Sequence, residues 1–212
     1  MAALSNESLH DSADGQWCQG LLSQAASFKE QGMYKQALLY YTDALGSVKK
    51  LFGEESTEIA SVYNNMGSIY KKQRDFPKAL EYYFNELKIG LLLGADHPGP
   101  QRSRYPDPDA GFTYHHLADC YRSLGDELAS LECYEKCLEI WLPKLGPDDP
   151  KVLATQKEVA VDRPVHEALV LNDQGQHDES MAVFAKALIK AKELFGKYMH
   201  TYIYSYIHIH IY

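Results

Sequence analysis

Small and large apolar side chains recur along this chain in a fixed order, separated by polar intervals. In each block a small residue is followed three positions later by a large apolar residue, twelve positions later by a second small residue and sixteen positions later by an aromatic residue. The blocks begin at Ala25, Gly67, Ala118 and Ala168. The first step spans 42 residues, and short insertions lengthen the next two to 51 and 50. Self-similarity at such a period predicts a stacked-repeat fold.

Spacings of three and four residues place these apolar side chains on one face of a helix, so each block predicts two amphipathic helices. Gly32, Gly125 and Gly175 supply the tight turn between the two helices, with Arg74 in the matching position of the second block. Glycine suits the left-handed residue that ends many helices. The predicted helices cover about 17–30, 34–50, 57–72, 76–92, 109–123, 127–143, 151–173 and 177–195.

Capping residues mark the start of several of these helices. Asp107 and Asp149 each precede a proline, and Ser56 precedes the third predicted helix. Their side chains can accept hydrogen bonds from first-turn N–H groups, and proline fits the first helical position.

The fourth block is irregular. A strict 42-residue step from Ala118 leads to Ala160, whereas the better match to the pattern is Ala168. Pro164 lies between the two candidates, and proline breaks or kinks a helix. We therefore expect two short helices that meet near 162–164.

Small and aromatic residues at these offsets resemble those of the tetratricopeptide repeat (TPR). The longer period, the segment NNMGSIY at 64–70 and the linker GADHP at 94–98 are similar to the long-unit TPR class of kinesin light chains and nephrocystin-3-like proteins. The resemblance covers about 17–196. It implies an all-α fold, a right-handed superhelical solenoid of antiparallel helix pairs with about four TPR units.

The pattern divides the chain into three parts. Residues 1–16 are predicted to be a disordered N-terminal lead, and the TPR array covers 17–196 with a proline-rich loop insertion at 99–108. The tail at 197–212 alternates Tyr or His with Ile, as a translated TA/CA dinucleotide repeat would, and we interpret it as an artefactual, low-complexity segment after which the true array continues. The repeat units, called repeats 1 to 4 below, are about 17–53, 57–94, 109–146 and 151–196.

Composition excludes several classes of protein. A net charge of -8 argues against a nucleic-acid binder that acts through overall charge. The apolar runs are too short for a membrane span, and Met1–Asp14 does not have the pattern of a secretory signal. The four cysteines are then read as reduced thiols of a cytoplasmic protein. Phosphate-loop, nucleotide-fingerprint, metalloprotease and GxSxG motifs are absent from the sequence, so we expect neither an enzyme nor a cofactor.

The strongest ligand-like cluster in the sequence is His115, His116 and Cys120, of which the last two are four residues apart on one helical face. Three tail histidines, His200, His208 and His210, form a weaker one. For the first cluster the favoured interpretation is that the histidines face the recognition surface and that the cysteine packs in the core, so no metal site is predicted.

In this repeat class the first helix of each unit lines a concave groove, and the residues around the small position face it. Lys29, Lys71 and Arg122 fall at equivalent positions and would form a basic ladder, which suits an acidic, extended peptide. The Asn65 amide can donate to and accept from a peptide backbone. The alternative is that these residues are solvated helix ends. The predicted peptide-binding groove consists of Lys29, Asn64, Asn65, Ser68, Lys71, Lys72, His115, His116, Asp119 and Arg122.

One known use of TPR grooves is not expected. Repeats that clamp the acidic tails of heat-shock chaperones carry a basic and an amide residue in the first unit and two basic residues in the third. Leu22, Ala26, His115 and Asp119 stand at those places, and only Asn65 matches the clamp.

The leading hypothesis is therefore a non-enzymatic scaffold that binds a partner protein through its groove, which would be a cargo or adaptor if the kinesin-light-chain resemblance runs deeper. A second hypothesis is a regulatory fragment of a larger signalling protein or enzyme whose effector domain is missing. A third, a metal-dependent enzyme built on the histidine–cysteine cluster, would require bound zinc.

Overall fold

A computed structural model describes residues 12–95 and 108–195, and these residues form eight α-helices and no strand. The helices are α1 Ala13–Glu30, α2 Tyr34–Phe52, α3 Thr57–Lys72, α4 Phe76–Ala95, α5 Pro108–Leu124, α6 Glu127–Leu145, α7 Pro150–Asp173 and α8 His177–Phe195. Each predicted helix has an observed counterpart, and the all-α repeat fold is confirmed. The chain divides into two compact units, and the boundary in the sequence falls between Leu124 and Gly125.

Side-chain caps explain where three of the helices begin. The Ser12 hydroxyl accepts from the Gly15 N–H at 3.0 Å, so α1 starts before the predicted position at residue 17. The predicted caps of α3 and α7 are confirmed, since Ser56 Oγ accepts from the Ile59 N–H at 3.3 Å and Asp149 Oδ1 accepts from the Lys151 N–H at 2.8 Å.

The turns inside the repeats have the left-handed residue that the sequence predicted. Its φ is 73° at Gly32, 63° at Arg74, 80° at Gly125 and 77° at Gly175. Arg74 is the one residue other than glycine with a positive φ in the described part of the chain. Repeat 2 therefore makes the same turn as the other repeats, at a position where an L-residue is strained.

The small residues of the pattern lie in the core, where they let neighbouring helices approach closely. In the first compact unit Ala25, Ala37 and Tyr41 are buried together in one cluster. In the second, Ala168 is buried with Phe184, and the Ser180 hydroxyl donates to the Ala168 carbonyl oxygen at 2.6 Å. Ala160, the competing position, is only half-buried, which confirms Ala168 as the repeat position.

The expected break near 162–164 is wrong, because α7 continues through Pro164 to Asp173. Val161 and Val165 are 1% and 6% exposed, so both flanks of the proline are anchored in the core. A continuous helix buries both side chains, and this packing outweighs the backbone hydrogen bond that proline removes.

The lead up to residue 11, the insertion up to residue 107 and the tail at 197–212 lie outside the described residues, together with the predicted cap Asp107. No helix among the described residues is long and apolar enough to span a membrane.

Candidate functional site

The predicted groove residues lie on three helices of the first compact unit. Lys29 stands in the last turn of α1. Five of the residues, Asn64 to Lys72, lie on α3, and the remaining four, His115 to Arg122, lie on α5. Most of them are half-buried, whereas Lys72 is exposed. The side-chain contacts between these helices define the candidate site.

The first contact joins α1 to α3. Lys29 Nζ donates to Asn65 Oδ1 at 2.6 Å, and the other side of the same amide donates from Nδ2 to the Ser61 carbonyl oxygen at 2.9 Å. Burial lowers the pKa of Lys29; Glu30 opposes this shift, and the nearby positive charge of Lys72 lowers the pKa further. The Asn65 amide is therefore held in one orientation, with its oxygen on the Lys29 ammonium group.

The second contact joins α3 to α5. Lys71 Nζ forms an ion pair with Asp119 Oδ2 and lies 3.3 Å from His116 Nδ1. The same carboxylate oxygen lies 3.6 Å from His115 Nδ1. The Lys71 and Asp119 side chains are 26% and 30% exposed, so this pair is screened by solvent and remains accessible from outside.

The imidazole of His116 is fixed in place by a stacked neighbour. Its ring lies 5.2 Å from the ring of Tyr83, at an interplanar angle of 28°. Burial and then the charge of Lys71 lower the pKa of His116 to about 4, against the opposing influence of Asp119. Burial also raises the pKa of the Tyr83 hydroxyl. The His116 side chain is therefore neutral near pH 7.

Two further groove residues make contacts within repeat 2. Asn64 Nδ2 lies 3.0 Å from both carboxylate oxygens of Glu86, which is buried at a position that is alanine or cysteine in the other repeats. The Ser68 hydroxyl donates to the Asn65 carbonyl oxygen at 2.8 Å. Asn64 therefore satisfies a buried carboxylate, a structural role that the spacing pattern did not reveal.

The contacts of Lys29 and Lys71 follow one register. Each lysine stands four residues after the small residue of its own repeat, and each reaches the residue two positions before the small residue of the next repeat, Asn65 and His116. A polar row thus crosses α1, α3 and α5. At two of the three predicted ladder positions, Lys29 and Lys71 already have acceptors, and Asp119 balances the charge of Lys71.

The sequence cluster of His115, His116 and Cys120 is rearranged in the structure. Cys120 is fully buried, and burial raises the pKa of its thiol to about 11. Asp119 replaces it: one ligand atom from each of His115, His116 and Asp119 lies within 4.8 Å of the others. The sequence could have indicated Asp119 through its spacing of four residues from His115, because this spacing places both side chains on one helix face.

Comparisons with known proteins agree with the repeat pattern. The tetratricopeptide repeat family matches residues 18–83 and 109–162, and a second tetratricopeptide repeat pattern matches 168–197. A clustered mitochondria protein homolog of Candida albicans is 23% identical over 127 residues. That alignment covers 60% of this chain, and the chain spans only 9% of the length of the Candida protein.

Solved structures of repeat proteins have a similar fold. BtubC (BKLC) from P. vanneervenii is 20% identical with a TM-score of 0.52, and the match covers 88% of this chain and 68% of that one. Kinesin light chain TPR-like repeats of Podosopora anserina are 18% identical with a TM-score of 0.52, covering 83% and 75%. The N-terminal domain of stress-induced protein-1 from C. elegans is 14% identical with a TM-score of 0.50, covering 70% and 98%. At these identities the likeness shows a shared fold.

Proposed function

Because the chain belongs to the tetratricopeptide repeat family, we propose that it is a non-enzymatic scaffold that binds an extended, acidic segment of a partner protein along α1, α3 and α5. TPR repeats generally mediate protein–protein interactions, and the family is generally non-enzymatic. The protein class follows from the family, whereas the acidic character of the ligand is inferred from the side chains of this chain.

The observation that supports the proposal is that three lysines stand in the last turns of α1 and α3 in an acidic protein. Lys29 and Lys72 are close enough for the charge of Lys72 to lower the pKa of Lys29, and Lys71 stands on the same helix as Lys72. Like charges held together favour a ligand that supplies carboxylates. Asp119 is an internal carboxylate at Lys71, so an acidic ligand either replaces it or binds beside it at Lys29 and Lys72.

A direct test uses the full chain and two fluorescent decapeptides, one rich in glutamate and one rich in lysine. We expect salt-sensitive binding of the glutamate peptide alone. Lys72→Glu should weaken it about fivefold or more, since one exposed charge contact is worth about 1 kcal/mol or less and the reversal adds repulsion. Lys144→Glu, at an exposed lysine of α6, is the matched control and should leave binding unchanged. Equal binding of both peptides would contradict the proposal.

Capture experiments test the position of the site. Proteins retained by the wild-type chain should be lost with Lys71→Glu and reduced with Asn65→Ala. Identical sets of retained proteins for the wild type and both variants would refute the assignment of the groove.

We also propose where the protein acts and which partners it does not bind. The protein acts in the cytoplasm, does not bind nucleic acid and does not clamp the acidic tails of heat-shock chaperones. At one of the tail-binding positions, Leu22 packs against apolar clusters that repeats 1 and 2 share, where it offers no polar contact. A low-micromolar affinity for a chaperone-tail peptide would contradict this part of the proposal.

A second candidate function is a regulatory TPR module of a larger signalling protein or enzyme. The observation that favours it is the length of the Candida relative, of which this chain spans 9%. Sequencing the transcript beyond Gly196 distinguishes the two functions, because a downstream catalytic or nucleotide-binding domain would favour the second.

A further inference from the structure

We propose that His115, His116 and Asp119 form a binding site for a divalent transition-metal ion, Zn²⁺ above all, in which the Lys71 ammonium group now stands where the ion would bind. The site shares these four residues with the predicted peptide-binding groove, but the binding of an ion goes beyond the function proposed above and does not depend on it.

The three proposed ligand atoms are close together on one helix. His115 and Asp119 are four residues apart on α5, and His116 and Asp119 are three apart, so all three side chains project from one side of the helix. One atom from each lies within 4.8 Å of the others. Ligands bound at about 2.1 Å to one zinc ion are separated by no more than about 4.2 Å, so the side chains need only small rotations to reach it.

The Lys71 ammonium group lies against two of the three proposed ligands. An ammonium group has only donors, so the Nδ1 atom of His116 that faces it at 3.3 Å presents a lone pair. The carboxylate of Asp119 directs a lone pair at the same ammonium nitrogen. Two ligand atoms of different side chains therefore already converge on one cation.

The residues around the Lys71 ammonium group would allow a metal ion to replace it. Tyr83 stacks on His116 and holds its ring in orientation, as outer groups of metal sites do. The His115 and Asp119 side chains are 29% and 30% exposed, so an ion can enter from solvent. Two imidazoles and one carboxylate suit Zn²⁺, Co²⁺, Ni²⁺ and Cu²⁺, whereas Mg²⁺ and Ca²⁺ prefer oxygen ligands alone.

The test is a titration of the full chain with Zn²⁺ alone and with Co²⁺ alone. In every protein His200, His208 and His210 are replaced by asparagine, so that the tail histidines bind no metal. We expect one ion per chain with a micromolar or lower Kd. Asp119→Asn should weaken binding at least about tenfold, the lower end of the range seen when even an outer partner of a metal site is lost.

Lys71→Met separates a metal site from a structural ion pair. Because the metal no longer has to displace the ammonium group, the variant should bind Zn²⁺ about fivefold more tightly, the equivalent of roughly 1 kcal/mol for a partly exposed ion pair. A merely structural role for Asp119 predicts no gain. Circular dichroism and the thermal midpoint of each variant establish that it is folded.

Three results would overturn the proposal. The first is the absence of one-to-one binding at micromolar Zn²⁺ in a folded chain. The second is an affinity that does not change with Asp119→Asn or that shows no gain with Lys71→Met. The third is a thiolate-to-cobalt charge-transfer band, which would assign the ion to a cysteine such as Cys120 instead.

Discussion

At the scale of single residues, Gly67 is the position where one added methyl group has the largest predictable effect. An ideal Cβ there would lie 2.9 Å from Cε1 of Tyr83, whose ring is fully buried and stacked on His116. We expect Gly67→Ala to lower the free energy of unfolding by about 1 kcal/mol, because strain of about 1–3 kcal/mol exceeds a helix-propensity gain of about 1 kcal/mol. Urea unfolding measures the change.

Gly46 provides the control for this substitution. It lies within α2, and a Cβ there would meet nothing within 4 Å. Gly46→Ala should therefore raise the free energy of unfolding by about 1 kcal/mol, the propensity difference alone. Equal effects at the two glycines would contradict the close packing of α3 on Tyr83.

Two serines that occupy the same position of different repeats should respond differently to removal of the hydroxyl. Ser180 donates to the Ala168 carbonyl oxygen at 2.6 Å, whereas the fully buried Ser130 Oγ has no hydrogen-bond partner among the described residues. Ser180→Ala should destabilise by about 1 kcal/mol, and Ser130→Ala should be neutral or stabilising. Thermal unfolding of both variants checks the sign, and a larger loss at Ser130 would contradict the assignment.

Residue burial was largely predictable, but residue pairing was not. The repeat pattern identified the buried small and aromatic positions because helix geometry alone relates their spacings. The partners of Lys71 are 45 and 48 residues away in sequence and depend on which face of α3 meets α5. The spacing within one repeat does not predict a contact between repeats. The sequence therefore places Asp119 in the groove but does not predict its ion pair with Lys71.

At the scale of helices and turns, Arg74 is a strained residue in an otherwise glycine-filled position. Its φ of 63° is unfavourable for an L-residue by about 1–2 kcal/mol, and glycine removes this strain while making the unfolded chain more flexible. Arg74→Gly should therefore stabilise the protein by about 0.5–1 kcal/mol in urea unfolding.

Gly175 occupies the same turn position as Arg74, so it allows the opposite substitution. A Cβ there would meet nothing within 4 Å, but the φ of 77° strains any L-residue. Gly175→Ala should lower the free energy of unfolding by about 1 kcal/mol through the backbone alone. A neutral result would mean that the turn relaxes to another conformation.

The proline inside α7 is the clearest place where local rules and packing disagree. Pro164 lacks the N–H that would complete a helical hydrogen bond, so Pro164→Ala should stabilise the protein by about 1–3 kcal/mol. Pro150→Ala, at the start of the same helix where proline fits, is the control and should bring no gain. The sequence predicted a break because propensity is local, whereas the burial of Val161 and Val165 is not.

At the scale of the whole molecule, the four cysteines report on folding. Cys18, Cys120 and Cys137 are buried as free thiols, and Cys133 is half-buried with a pKa raised to about 11 by burial and then by nearby acidic residues. Because the thiolate is the reactive form, all four should react slowly with a thiol reagent at pH 7 in the native protein and quickly after unfolding. Rapid reaction in the native chain would contradict the burial of Cys18, Cys120 or Cys137, or the raised pKa of Cys133.

The repeated register of the polar row has a consequence for building longer arrays. A duplicated repeat 2 would carry its own donor, Lys71, and its own acceptor, Asn65. A lysine at that position already bonds to Asn65 in the contact made by Lys29. In its polar row, repeat 2 is therefore compatible with a copy of itself, and tandem duplication of this repeat should preserve the lysine–asparagine contact between the copies.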